Sequence, residues 1–345
     1  MTAPAPPAAP PARRLHVPPA ATAILFAALV GGALVLASGA NPLNAYYQIL
    51  AGSLSLGSLP DTLNWATPLV GMAIAAAIPL RGGMINLGGD GQMAIGGLVS
   101  AIVALYLPAP GPIAAIVALV AAAIAAGLYA SLAAWGETRH GIPMLVSSLL
   151  LSYPAVGICS YIVRFPLRDT ATGLPQTKMI PESARLLTIA GPLNIGMLIV
   201  VAIAAAAIFL DRRAIVGYEL RLRGLNRRFA GYGGIDLAKQ AMLAMFASGA
   251  IAGIVGAILV LGSDFRFIDE ALLIPSYTYS GLMAALLANG EPVGTIAAGL
   301  FFAALQTGGF AMQRETSIPR VLTLVLQAIV ILFVAVRHGL GWRNA

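Results

Sequence analysis

The chain has 345 residues but only one cysteine, three histidines and two lysines, and just 10% of it is charged. One cysteine, Cys159, excludes an intrachain disulfide framework. His16, His140 and His338 are far apart and offer no metal-ligand spacing. No G-x-x-x-x-G-K-[ST] phosphate loop occurs, and neither Lys178 nor Lys239 stands in such a context, so the chain cannot itself hold the nucleotide-hydrolysing site of a P-loop ATPase. H-E-x-x-H and G-x-S-x-G are also missing, and no His/Asp cluster suits general-base work. Neither catalytic residues nor a cofactor are therefore expected. A soluble domain carries about 25% charged residues, so a chain this poor in charge cannot cover itself with polar surface.

What is abundant is apolar sequence: 59% of residues are hydrophobic. Runs of about 18–20 apolar residues recur, each long enough to cross about 30 Å of hydrocarbon. The sequence predicts an all-α polytopic membrane protein with ten segments, at 20–38, 61–79, 91–107, 112–135, 143–164, 192–210, 238–261, 273–289, 292–309 and 319–337. The eighth is short and interrupted by Pro275 and Ser276, which points to a partial span. Residues 1–19, rich in Pro and Ala, read as a disordered cytoplasmic tail ahead of a membrane domain at 20–345.

The net charge of +7 reflects loop arginines beside apolar segments rather than a nucleic-acid surface. With the amino terminus inside, thirteen of the twenty Lys and Arg fall on the inner side and seven on the outer. That bias places both termini in the cytoplasm. Small residues crowd the segments, and Gly249 and Gly253 form a G-x-x-x-G pair, a pattern that permits close helix approach. Two outer connections are long, 39–60 and 165–191. The first is expected to form a short surface helix, and both are expected to dock an external partner.

Two stretches carry chemistry. The first, RGGMINLGGDGQMAIGG at 81–97, is a glycine-dense polar break between apolar segments. Broken backbone at membrane depth is tolerated only where protein or water covers it, and transporters place such breaks beside the translocated solute. Asp90 is expected to cap the following helix. Candidate pathway residues are Asn64, Asn86, Asp90 and Gln92 near the break, Ser148, Ser152 and Tyr153 on the fifth segment, and Tyr277 and Tyr279 on the eighth, since intramembrane polar groups tend to face a cavity. The second stretch, DRRAIVGYELRLRGLNRRFAGYGGID at 211–236, holds six arginines. Within it Asn226 is placed to N-cap a short helix on which Phe229, Tyr232 and Ile235 recur at helical spacing. A basic helix with an exposed apolar stripe suits a groove on a partner protein.

NLGGDGQ resembles the N-I-G-x-E-G-Q signature of permease subunits in bacterial ABC importers of the sugar, nucleoside and branched-chain amino acid family, nearest to the nucleoside type that depends on a basic membrane lipoprotein. The stretch 223–235 is similar to that family's V-G-x-N-x-x-A-A-x-Y-x-G-I coupling helix. Gly224, Asn226, Ala230, Tyr232, Gly234 and Ile235 match it, with Leu225 and Phe229 completing the candidate docking face, whereas Arg223 and Phe229 depart from its Val and first Ala. ATPLVGMAIAAAIPLRGG, GLPQTKMIP and SGLMAALLANGEPVGTIAAGLFFAALQTGG also look like family landmarks, so the likeness runs from about Pro42 to the carboxyl terminus. There are departures. Asp90 stands for the family's Glu, Pro143-Met144 replaces an Asn-Glu pair, and Ser152 replaces a later Asn. The resemblance implies an inner-membrane permease for a nucleoside-like or sugar-like solute. Its implied partners are an ABC ATPase, a second permease subunit (identical or related), an extracytoplasmic substrate-binding protein and membrane lipid. The alternative is an ion-coupled secondary transporter with Asp90 as its ionisable group.

Overall fold

Helices account for most of the computed structural model, which describes residues 19–316, except 38, and a few positions between 318 and 329. The predicted tail up to residue 18 and most of the segment 319–337 lie outside the described residues. Among the described residues, six helices are long and apolar enough to cross a membrane: α3 (Leu59–Arg81), α4 (Gly89–Tyr106), α5 (Gly111–His140), α6 (Met144–Arg164), α10 (Leu237–Leu259, prolonged by a π turn over Val260–Asp264) and α12 (Pro292–Thr316). The others are α1 (Pro19–Ala37), α2 (Pro42–Leu54), α7 (Gly196–Arg213), α8 (Ile215–Leu225), α9 (Arg227–Tyr232) and α11 (Tyr277–Leu287). The predicted eighth segment is only the eleven-residue α11. A small hairpin, β1 (Thr188–Ala190) with β2 (Leu193–Asn194), qualifies the all-α expectation. The short surface helix expected in 39–60 is α2, N-capped by Asn41, whose Oδ1 accepts from the Leu43 N–H at 2.9 Å.

Helix α3 is the axis of the bundle. Every residue from 66 to 77 is buried, as a helix apolar on all sides must be, and α7, α10, α11 and α12 surround it. Glycine and alanine set the distances between helices. A Cβ at Gly253 would lie 2.5 Å from the Ala122 carbonyl oxygen of α5, and one at Gly249 would lie 2.4 Å from the Ala130 Cβ. On the other face of α10, a Cβ at Gly96 of α4 would fall 2.3 Å from the Gly253 Cα. The G-x-x-x-G pair thus sits where α10 crosses α5 and α4, and close backbone approach provides the dispersion contact that lipid cannot.

The chain's punctuation follows local chemistry. Helix α5 ends at Gly141 (φ +69°), whose N–H returns to the Glu137 carbonyl at 3.0 Å, while Ile142 N–H reaches Gly136 at 3.3 Å. Pro143 then blocks continuation and α6 begins. Helix α10 starts at Asp236, whose Oδ1 accepts from the N–H groups of Ala238 and Lys239, each at 3.0 Å.

The bundle has two distinguishable ends. One carries 211–236 together with the C-termini of α3, α5 and α7 and the N-termini of α6, α10 and α12; Arg81–Asp211, Arg227–Glu137 and Arg212–Glu291 ion pairs join them. The opposite end carries α2, the hairpin and the irregular segment 265–276. There Thr177 N–H bonds the Phe267 carbonyl at 2.9 Å, and Asp269 accepts from Arg164 Nε at 2.6 Å and Ser160 Oγ at 3.0 Å.

Candidate functional site

Between α3 and α4, residues 82–88 form no helix. Gly83, at φ +71°, adopts a left-handed conformation that favours glycine. Its chain then runs back into the bundle, and side chains take over the backbone's unmet donors. Leu87 N–H donates to Ser148 Oγ at 3.0 Å, Gly88 N–H to Asn86 Oδ1 at 2.9 Å, and Gly91 N–H to Ser152 Oγ at 2.9 Å. Two of the candidate pathway serines therefore pin the break to α6. Their buried hydroxyls do what water would do outside the membrane.

Asn86 is the centre of this arrangement and is 5% exposed. Its Nδ2 donates to Gln92 Oε1 and to Ser248 Oγ, both at 2.9 Å, while its Oδ1 accepts from Gln92 Nε2 at 3.1 Å. Ser248 in turn donates to the Ala75 carbonyl at 2.6 Å. The cluster thereby ties the break to α10 and α3 at once. Ser248 lies eleven residues into α10, about 16 Å along its axis, so the cluster is deep within the bundle. Sequence inspection missed Ser248, which is 162 residues from its partner; no local pattern marks it.

Two helices begin at this depth. Helix α4 starts at Gly89 and α11 at Tyr277, and they meet. A Cβ at Gly89 would lie 2.6 Å from Thr278 Cγ2. Asp90 is not the N-cap expected from the sequence. Gly88 occupies that position with no side-chain cap, because the helix begins one residue before Asp90 and Asn86 already takes the Gly88 N–H. Asp90 instead sits in the first turn, where the partial positive charge of the N-terminus favours a carboxylate. Its carboxylate and the Thr278 hydroxyl lie beside each other, with Asp90 Oδ1 and Thr278 Oγ1 both buried.

The remaining candidates separate into two groups. Tyr277 is buried and packs on Trp65, ring centroids 5.6 Å apart. Tyr153 and Tyr279 are 69% and 45% exposed on the outside of the bundle, and Tyr279 lies within electrostatic reach of both Tyr153 and Asp90. Asn64 is not at the break. It lines a cavity at the opposite end, beside Trp65.

The basic stretch folds into α8 and α9. Asn226 is the N-cap of α9 as the sequence predicts, accepting from the Phe229 N–H at 3.0 Å. Gly234 (φ +85°) follows the helix, and Ile235 N–H closes back on the Ala230 carbonyl at 3.1 Å. Ala230 is fully buried, whereas Leu225, Phe229 and Tyr232 are 85%, 59% and 91% exposed; Ile235 is half-buried. An apolar ridge therefore projects from the basic end.

That ridge is wired to the break. Gly224 sits so close to the end of α3 that a Cβ would lie 2.2 Å from the Arg81 carbonyl oxygen. Arg223 is 3% exposed and donates from Nη1 to the Gly82 carbonyl at 3.0 Å. Burial pulls its guanidinium below the ordinary arginine pKa, with Glu137 opposing that shift and Arg227 adding to it. Arg81 reaches Asp211 through Nε at 3.0 Å and Nη2 at 3.3 Å, and Arg221 reaches the same carboxylate at 3.3 Å. One carboxylate shared by two arginines from different segments clamps the basic stretch to the helix that precedes the break.

The structure thus holds a backbone break closed by buried amides and hydroxyls and joined through Arg223 and Asp211 to an exposed apolar ridge. The family model described as "Branched-chain amino acid transport system / permease component" matches residues 58–335, and the chain belongs to that family. It is 30% identical over 329 residues to the nucleoside ABC transporter permease protein NupB of Lactococcus lactis, covering 91% of this chain and 89% of that one. It is 27% identical to the guanosine ABC transporter permease protein NupP of Bacillus subtilis, covering 92% of each chain. The glucose ABC transporter permease protein TsgB13 of Haloferax volcanii is 29% identical, over 90% of this chain and 84% of its own. The chain is accordingly a multi-pass membrane protein, the permease component of an ABC transporter.

Proposed function

We propose that this permease imports a nucleoside-like solute across a bacterial inner membrane. An external binding protein delivers the solute, and ATP hydrolysis on a separate subunit drives its passage. The observation that carries the coupling half of the proposal is α9, a capped helix whose apolar ridge faces solvent while its roots are tied through Arg223 and Asp211 to the break. Exposed apolar surface of this kind marks a protein contact. The basic end then faces the cytoplasm, in accord with the arginine bias. The further segments expected at 20–38, 192–210, 273–289 and 319–337 bring the membrane passes to ten, with both termini cytoplasmic. Two relatives named for nucleosides or guanosine, each matched over most of its length, favour a nucleoside over a sugar. The nine sequence-nominated pathway residues are assigned to the route or its frame. Asp90 borders it at the break, Tyr153 and Tyr279 face it from the outside of the bundle, where a second permease subunit closes it, Asn64 lines its approach, and Asn86, Gln92, Ser148, Ser152 and Tyr277 hold its walls.

The test is Tyr232→Asp. A carboxylate on a side chain 91% exposed leaves folding intact and places charge in the docking ridge. Co-purification of the ATPase subunit with the tagged permease is expected to fall, together with solute-stimulated hydrolysis. Full retention of both refutes the assignment of α9.

A further inference from the structure

At the end opposite the basic stretch, α3, α12, α2 and the residue preceding β2 line an open cavity of about 780 Å³. Its size lies in the range of small-molecule sites, about 300–1,000 Å³. Trp65 and Phe310 form an aromatic corner, centroids 5.6 Å apart at 43°. Asn64 and Gln313 present amides beside them, and Asp61 and Arg314 stand at the exposed rim. Neither rim charge forms an ion pair among the described residues.

We propose that this cavity is a binding vestibule for an uncharged solute carrying a planar ring, with Trp65 as its stacking platform. The assignment rests on the transport reading above and names a place where the solute is held before the break. Four arguments support it. An aromatic face beside the Asn64 side-chain amide offers stacking and hydrogen bonding together, the combination that a nucleobase or a nucleoside uses. Asp61 and Arg314 cancel in net charge at the rim, so the site exerts no long-range pull on an ion of either sign. A neighbouring groove gives the contrast: it is lined by Leu63, Val70, Met197, Val201, Ile296 and Leu300, among other mostly apolar residues, and has the character of a lipid-covered surface. Finally, Trp65 is in contact with what lies beneath. Its indole packs on Tyr277 at 5.6 Å, and Tyr277 opens α11 immediately before Thr278, which lies against Gly89 and beside Asp90. A solute that shifts Trp65 therefore acts on the meeting point of the two helix N-termini. Trp65 is a binding residue for the solute and a positioning residue for α11.

The experiment uses the full transporter complex in proteoliposomes, with Cys159→Ala as background and Gln313→Cys as reporter. An impermeant methanethiosulfonate reagent labels the reporter from the side of the cavity. Millimolar guanosine is expected to slow that labelling, and millimolar glucose to leave it unchanged. Trp65→Ala is expected to raise the guanosine concentration for half-protection about tenfold or more, the loss of one stacked ring, while Trp65→Phe retains most protection. ATP-driven guanosine uptake is measured on the same preparations. Uptake without protection at Gln313→Cys overturns the vestibule, as does protection by guanosine that Trp65→Ala leaves unchanged, or protection by glucose alone. Protection without uptake overturns the transport reading and leaves the site standing.

Discussion

Replacing Asn86 with leucine, a side chain of similar size that cannot hydrogen-bond, probes the structural account of the break directly. The substitution orphans the Gly88 N–H and both the Oε1 and Nε2 of Gln92. Gln92 is only 2% exposed, so water cannot reach these groups without disturbing the packing. Each buried unsatisfied group costs about 1–3 kcal/mol, and three of them put the loss at roughly 3 kcal/mol or more. Ser248 is affected less, because its hydroxyl still donates to Ala75 at 2.6 Å. The informative comparison is with Gln92→Met and the double variant. In Asn86→Leu/Gln92→Met two of the three orphans disappear together, so the double variant is expected to cost less than the sum of the single ones by about 1–3 kcal/mol. Thermal melting of the detergent-purified protein, followed by loss of monodisperse material, reads all four proteins. Additive losses, or a leucine variant as stable as the parent, would refute the hydrogen-bonded closure of the break.

Two further outcomes follow from the same geometry. Asp90→Asn is expected to retain most ATP-driven uptake and Asp90→Leu to lose most of it, since polarity at the two converging N-termini is worth about 0.3–2 kcal/mol and no proton is carried; equal loss in both, with equal insertion, favours the ion-coupled alternative. In a Cys159→Ala background, Thr172→Cys is expected to react with an impermeant maleimide in intact cells, and Gly231→Cys only after the membrane is opened; the reverse pattern inverts the topology.

Much of this molecule was legible in the sequence because membrane physics leaves few choices. Apolar length set the six long helices, and side-chain chemistry set the caps. Asn226 and the Phe229–Tyr232 spacing marked α9, although Ile235, expected on the same helix, lies beyond its end at Tyr232, and the glycine run at 82–91 marked the break. What escaped were relations between distant segments. Asn86 with Ser248, Arg81 with Asp211, and Trp65 with Tyr277 join residues that only the folded bundle brings together. Asp90 is no cap because α4 already begins at Gly89, two residues before the start that a cap at Asp90 implies; the sequence shows a capping residue before a helix, but not that earlier start. Ser148 and Ser152 read as polar groups in an apolar span, and only the bundle reveals that their partners are backbone N–H groups of the break.

The most direct test of the central claim is uptake of radiolabelled guanosine by proteoliposomes containing the permease, its ATPase subunit, any second permease subunit and the binding protein. Each preparation is assayed with ATP inside the vesicles or with an imposed proton or sodium gradient. Accumulation that requires ATP, and that stops when the ATPase's own phosphate-loop lysine is replaced, is the predicted result. Accumulation driven by the ion gradient with hydrolysis blocked, and abolished by Asp90→Asn, would contradict it.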